Sequence, residues 1–311
     1  MVAAVSAWRR EIIRYPIDRG HRPIGRKYTR AYNAAMRTTE IRWLARAALL
    51  AAWLLCAGLA ASMSRAATPA ALDAPAAPVT VLAAASLTDV LTATGEAFTR
   101  RTGIVVRHSF ASSAQLARQL EAGARADMLV TADQEWMDHA DRARLLRPKT
   151  RRVLAGNRLV IVAPATSPAR LQPGSSASWR AALAGGRLVT GDPDSVPLGR
   201  YARVALRHLG VWESLAPRLA RAENARAALA LVARGEAALG VVYATDARNE
   251  PRVRTIATLD EDSHPRIEYP AALTAEAGAA ATRYLDFLAG DAAQEIFRRE
   301  GFTPPAPRGG Y

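Results

Sequence analysis

The sequence predicts an α/β protein built on mainly parallel, buried sheets. Three observations lead there: short β-branched runs alternate with helical stretches from residue 78 onward, most runs are apolar throughout, and several strand-to-helix turns carry helix-starting residues. Taken in order, VTVLAA from Val79 leads into Ser86, expected to cap a helix over 87–101. IVVRHSF from Ile104 leads to Ser113, expected to cap a helix over 114–122. DMLVTA from Asp127 is followed by Asp133, read as the cap of a helix over 134–140. RLVIVAP from Arg158 is a strand, with a helical stretch over 179–183 after it. GRLVTG from Gly186 precedes Asp192-Pro193-Asp194-Ser195-Val196-Pro197, with Pro197 suited to a first helical position and the helix continuing over 199–209. Asn224 is expected to cap a helix over 226–234, which leaves the Ala225 amide free. Strands follow in ALGVVYA from Ala238, VRTIAT from Val253 and RIEYPAAL from Arg266, then helices over 275–288 and 292–299. This many β-α steps fits a single doubly wound sheet or two lobes.

Composition narrows the class. The chain has 311 residues, 50% hydrophobic and 23% charged, with one cysteine and a formal net charge of +14. Those values exclude a disordered chain, a disulfide scaffold, a Cys-rich zinc protein and a multi-span membrane protein. The charge is unevenly placed: residues 1–66 hold 12 Lys+Arg against 3 Asp+Glu, leaving 30 basic and 25 acidic residues for the rest. The basicity therefore belongs mostly to the N-terminal segment and does not imply a nucleic-acid partner.

That segment reads as a targeting signal. Arg37, Arg42 and Arg46 precede an apolar run from Ala47 to about Ala61, followed by small residues and Ser64-Arg65-Ala66. A charged head, short apolar core and small-residue exit make a secretory signal, with cleavage expected near Ala66. The alternative, a retained anchor, is disfavoured because a span needs roughly 20 apolar residues. Cys56 lies inside the apolar run behind Leu55, so it reads as filler rather than a lipid-attachment site. Met36 opens a signal of normal proportions, and translation is expected to begin there. Residues 67–77 are Ala/Pro-rich and read as a linker, and 306–311 as a tail.

Each of the turns at Ser86, Ser113, Leu198 and Ala225 offers unpaired backbone N–H groups at the positive end of a helix, a setting suited to an anion. Taken singly, each is an ordinary helix start. The five histidines have no metal-ligand spacing, and there is no G-x-S-x-G elbow, Walker A loop or G-x-G-x-x-G. Neither serine has a general base placed beside it by any motif. Tyr243 reads by position as a core tyrosine at a strand end, Trp136, Trp179 and Trp212 as packing residues, and Arg200 and Arg226 as outward-facing.

At these turns the sequence resembles the periplasmic molybdate-binding proteins of bacterial ABC transporters. The stretches that carry the likeness are AAASLTDV (83–90), SFASSAQLARQLEAGARADMLVTADQEWMD (109–138), LAGNRLVIVAP (154–164), GDPDSVPLGRYARVAL (191–206), AENARAALALVARGEAALGVVYATDA (222–247) and EDSHPRIEYPAAL (261–273). They cover nearly all of residues 78–304 in the family's order.

The resemblance implies a two-lobed type II periplasmic binding fold, with lobe 1 at 78–157 plus 265–305, lobe 2 at 158–264, and two crossing strands as hinge. It implies one tetrahedral oxyanion, molybdate or tungstate, held by neutral donors: the hydroxyls and amides of Ser86 and Ser113, the amides of Leu198 and Ala225, and the Tyr243 hydroxyl. The family more often has Ala where Leu198 stands and Val where Ala225 stands. Both contacts are backbone, so the donors survive the change while the packing around them differs. The same resemblance implies a monomer without cofactor or catalytic residues, delivering its anion from the periplasm to a membrane permease. The rival readings are a binder of another oxyanion such as sulfate, the sensing domain of a transcription regulator, and a serine hydrolase acting through Ser86. The regulator would need a helix-turn-helix N-terminus where residues 1–66 supply a signal, and the hydrolase would need a base.

Overall fold

A computed structural model describes residues 77–305. The signal, the start at Met36, nearly all of the linker and the tail lie outside the described residues.

In chain order the strands are β1 (Val79–Ala84), β2 (Val106–Ala111), β3 (Met128–Val130), β4 (Arg152–Asn157), β5 (Leu159–Pro164), β6 (Leu188–Gly191), β7 (Leu219–Ala222), β8 (Leu239–Tyr243), β9 (Val253–Thr258) and β10 (Ile267–Leu273). The helices are α1 (Thr88–Thr102), α2 (Ser113–Glu121), α3 (Gln134–Arg142), α4 (Ser176–Leu183), α5 (Pro197–His208), α6 (Trp212–Leu215), α7 (Ala225–Ala233), α8 (Ala244–Arg248), α9 (Ala279–Ala289) and α10 (Asp291–Arg299).

The strands form two five-stranded sheets, ordered β2-β1-β3-β10-β4 and β7-β6-β8-β5-β9. In the first, β2, β1 and β3 are parallel and β10 runs against both β3 and β4. In the second, β7, β6 and β8 are parallel and β5 runs against both β8 and β9. Each sheet thus carries one reversed strand within a parallel set. The chain passes from the first sheet to the second at Asn157-Arg158, between β4 and β5, and returns through residues 259–266 between β9 and β10.

Helices cover the sheets, so the inner strands are apolar on both faces, as in β3 (Met128, Leu129, Val130) and β5 (Leu159 to Ala163). The principal core runs through both sheets, from Val81 and Leu154 to Val189 and Val241. A satellite cluster of Leu82, Leu116, Leu120, Leu129, Met137 and Ala272 fills the space beneath α2 and α3. No described helix is long and apolar enough to cross a membrane.

The expected strands and the longer helices all form, and the structure adds elements the sequence pattern did not signal. β4 carries Arg152, Gly156 and Asn157, and β7 is Leu-Ala-Arg-Ala, neither of which has the β-branched composition of a strand. They form because neighbouring strands offer ladder partners: β10 for β4 and β6 for β7. The short helices α6 and α8 are also additions. α9 starts at Ala279, behind Gly278, rather than at 275, because the preceding Thr274 bridges to Leu146 and extends the sheet edge.

Candidate functional site

Five strand ends meet at one place. Ser86 follows β1, Ser113 follows β2, Leu198 follows β6, Ala225 follows β7, and Tyr243 ends β8. The first two belong to one sheet and the other three to the second, and all five line a single small cavity. Its remaining walls are Ala84, Ala85, Ala111, Ser112, Ala132, Val196, Pro197 and Asn224. This is the position beyond the carboxyl ends of parallel strands where α/β folds gather helix N-termini. The space is small and suits one small species.

Two of the expected caps are displaced by one or two residues. Ser86 is not an N-cap: Ala85–Leu87 tighten into a 3₁₀ turn and α1 starts only at Thr88. Ser113 is the first residue of α2 and not its cap. Ser112 fills that role, accepting from the Gln115 amide at 3.3 Å while the Gln115 side chain accepts from the Ser112 amide at 3.1 Å. A capping box built from Ser112 leaves the Ser113 hydroxyl for other work. The remaining turns form as expected. Pro197 occupies the first turn of α5, Asn224 caps α7 by accepting from the Ala227 amide at 2.9 Å, and Asp133 caps α3 by accepting from Trp136 at 3.0 Å.

Helix geometry leaves the first amides of α2, α5 and α7 without intrahelical acceptors, among them Ser113, Leu198 and Ala225. Gly199 makes the α5 turn feasible. A Cβ there would overlap the Gly191 carbonyl and lie 2.6 Å from the Asp192 carbonyl carbon, so only glycine lets this helix start pack on the end of β6.

The hydroxyls are deeply buried and unequal in their bonding. The Ser113 Oγ accepts from the Ala132 amide at 3.0 Å. The Ser86 Oγ accepts from the Tyr269 hydroxyl at 3.2 Å. The Tyr243 hydroxyl is buried with no hydrogen-bond partner, and burial pushes its ionisation well above the ordinary tyrosine range, so it stays a neutral donor. An orphaned buried hydroxyl costs about 1–3 kcal/mol, a cost that a ligand acceptor would remove.

No charged side chain lines the cavity among the described residues. The nearby cations, expected to face outward, instead tie the two sheets together. Arg200 bonds Asp133 and reaches Glu135 at 2.5 Å. Burial raises the Asp133 carboxyl despite the Arg200 charge beside it. Arg226, next to Ala225, bonds Asp89 at 2.6 Å and lies 2.8 Å from Asp246. The Arg226 N–H is not aimed at Asp246, whose carboxylate accepts no hydrogen bond, and full burial pushes that group up to about 7.

Trp179 packs in the core as expected. Trp136 does more, donating its indole N–H to the Ser195 carbonyl of the opposite half at 2.9 Å, with the guanidinium of Arg200 over its ring. These cross-cleft contacts come from side chains far apart in sequence, so no local pattern could have announced them. Among the described residues no group of three or more His, Cys, Asp or Glu could hold a metal ion.

A larger hollow of about 640 Å³ lies at the chain crossing, among Asn157, Arg158, Glu261, Asp262, His264 and Arg266. Its charges partly satisfy each other, Arg158 meeting Glu261 at 3.0 Å, and no helix N-terminus of the cradle opens into it.

Comparison with known proteins gives the family and the fold. Residues 79–303 match the family model described as bacterial extracellular solute-binding protein. The chain is 48% identical over 227 residues to the molybdate-binding protein ModA of Escherichia coli, covering 72% of this chain and 88% of that protein. It is 40% identical over 232 residues to the ModA of Haemophilus influenzae, covering 74% and 91% respectively. Among solved structures it is similar to the Azotobacter vinelandii periplasmic molybdate-binding protein, with a TM-score of 0.65 and 22% identity over 73% of this chain and 99% of that one. That last likeness is one of fold: two α/β halves with a cleft between them, the type II arrangement of periplasmic binding proteins.

Proposed function

The chain belongs to the bacterial extracellular solute-binding proteins, among the molybdate-binding members, and from that premise we propose that it captures molybdate or tungstate for an ABC importer. The supporting observation is the convergence of Ser86, Ser113, Leu198, Ala225 and Tyr243, drawn from both sheets, on one small uncharged cavity. A dianion leaving water needs a donor for each oxygen, and a hydrogen bond to a charged group contributes roughly 1.5–3 kcal/mol. Several such donors at helix N-termini replace hydration without a counter-charge. The ligand is cargo, and no resident cofactor or turnover is part of the reading.

The two sheets with their helices act as lobes, 78–157 plus 265–305 and 158–264, hinged where the chain crosses between them. Closing brings donors from both lobes onto one anion and makes the Trp136, Arg200 and Arg226 contacts. Sulfate is also fully ionised, so it is refused on size, which a cavity walled by backbone enforces better than flexible side chains do. Residues 1–66 export the chain, cleavage falls near Ala66, residues 67–77 form a linker, and the mature monomer works in the periplasm and hands the anion to the permease.

Isothermal titration of the purified, anion-stripped protein with molybdate, tungstate, sulfate and phosphate tests this reading. A single tight site for the first two and no heat with the others supports it. Tight sulfate or phosphate binding, or silence from all four in folded protein, refutes it.

A further inference from the structure

The cavity donors include two serine hydroxyls, and a hydroxyl can equally well accept. A cradle that rejects protonated anions must therefore fix which way those protons point. The chain of bonds behind Ser86 does this. The Arg158 amide can only donate, and it does so to the Asn157 Oδ1 at 2.8 Å. That settles the Asn157 amide with its Nδ2 on the opposite side, where one proton goes to the Thr245 Oγ1 at 2.9 Å and the other to the Tyr269 hydroxyl oxygen at 3.0 Å. Having accepted from Asn157, Tyr269 gives its own proton to the Ser86 Oγ at 3.2 Å. Ser86 accepts that bond with one lone pair, so its proton is turned away from Tyr269 and is free for the cavity.

Ser86, Asn157, Thr245 and Tyr269 are buried, Tyr269 completely, so water does not compete for the bonds among their side chains. Tyr269 reaches Ser86 from β10 beside a register shift between Glu268 and Pro270, the kind of irregularity that re-aims a side chain next to a site. The second serine is fixed more simply, because its oxygen accepts from the Ala132 amide.

We propose that Tyr269, held by Asn157 at the chain crossing, is a specificity-determining positioning residue: it commits the Ser86 hydroxyl to donating, so that the site takes bare oxyanions and refuses those that carry a proton. The inference rests on the oxyanion reading and deepens it. A hydrogenphosphate oxygen bearing its proton meets only donors, and an unpaired buried polar group of that kind discriminates by orders of magnitude.

The test is a double-mutant cycle of Tyr269→Phe and Ser86→Ala, titrated with molybdate and with hydrogenphosphate at pH 8. Tyr269→Phe should weaken molybdate by about three- to tenfold and narrow the molybdate-to-hydrogenphosphate ratio by about tenfold or more, because Ser86 regains a free acceptor side. Both effects should vanish when Ser86 is already alanine. An unchanged ratio, or a Tyr269→Phe loss that persists in full beside Ser86→Ala, overturns the inference and assigns Tyr269 a packing role.

Should Tyr269→Phe fail to melt cooperatively, Asn157→Asp decides by the same cycle. A carboxylate there draws the Tyr269 proton, Ser86 then donates to Tyr269, and molybdate should lose more than with Tyr269→Phe. The part of that loss shared with Ser86→Ala is the signal, and no shared part refutes the inference. Folded wild type that binds neither anion overturns the oxyanion reading itself, an outcome distinct from binding with additive losses.

Discussion

Replacing Tyr243 by phenylalanine should move stability and affinity in opposite directions. The side chain is fully buried and its hydroxyl meets no partner within the protein, so the folded chain carries an unsatisfied polar group. Removing it keeps the ring and its edge-to-face contact with Tyr269 at 6.1 Å. Relief of the buried hydroxyl is worth about 1 kcal/mol or somewhat more, which for a domain of this size raises the melting temperature by roughly 2–4 °C per kcal/mol. The same oxygen is placed to donate to the anion, and losing one charge-assisted bond of about 1.5–3 kcal/mol weakens binding roughly 10- to 150-fold. Anion-free melting by calorimetry and titration with molybdate read the two effects separately. If Tyr243→Phe melts lower than wild type and binds molybdate equally well, the hydroxyl has a structural partner and no ligand role, and the reasoning fails.

Three further outcomes follow from the same geometry. Arg200→Ala removes the cation from Asp133, leaving a buried carboxylate with the Trp136 amide but no counter-charge; it should cost about 2–3 kcal/mol in melting experiments, eased at acidic pH, and should speed molybdate release in stopped-flow chase measurements. Gly199→Ala forces a Cβ into the Gly191 and Asp192 backbone, so the α5 start must shift; titration should show molybdate affinity down by about tenfold or more, with a lower melting temperature. Asp246 holds its proton to about pH 7 when folded, against 3.8 for the ordinary group, so the folded state binds that proton more tightly. Its contribution is complete below the lower value and is lost as pH rises through the higher, so Asp246→Asn should gain melting temperature relative to wild type between pH 5 and pH 8.

The sequence reading and the structure agree most closely where chemistry is local. The apolar runs ending at Ser86 and Tyr243 each name a strand end, Asn224 names a helix start, and local pattern suffices for those. That the five expected residues line one cavity depends on the pairing of ten strands into two sheets, which no single turn encodes; the family resemblance supplied that link. Cap assignment failed at Ser86 and Ser113 because adjacent residues compete for one role: a 3₁₀ turn absorbs the first, and Gln115 makes Ser112 the better cap for the second. Arg200 and Arg226 read as solvent-facing because their carboxylate partners lie 67 and 137 residues away. Tyr269 and Asn157 went unmarked for the same reason. Asn157 contacts Tyr269 across 112 residues, and a tyrosine inside RIEYPAAL has the profile of any strand residue.

The most direct test of the central claim is a crystal structure with molybdate, recorded at the molybdenum absorption edge. The account predicts one anomalous peak in the cavity between the two sheets, with the Ser86, Ser113 and Tyr243 hydroxyls and the Leu198 and Ala225 amides on its oxygens and no Arg or Lys in contact. A peak instead in the charged hollow near Arg158 and Arg266, or none in crystals of folded protein at saturating molybdate, would contradict it.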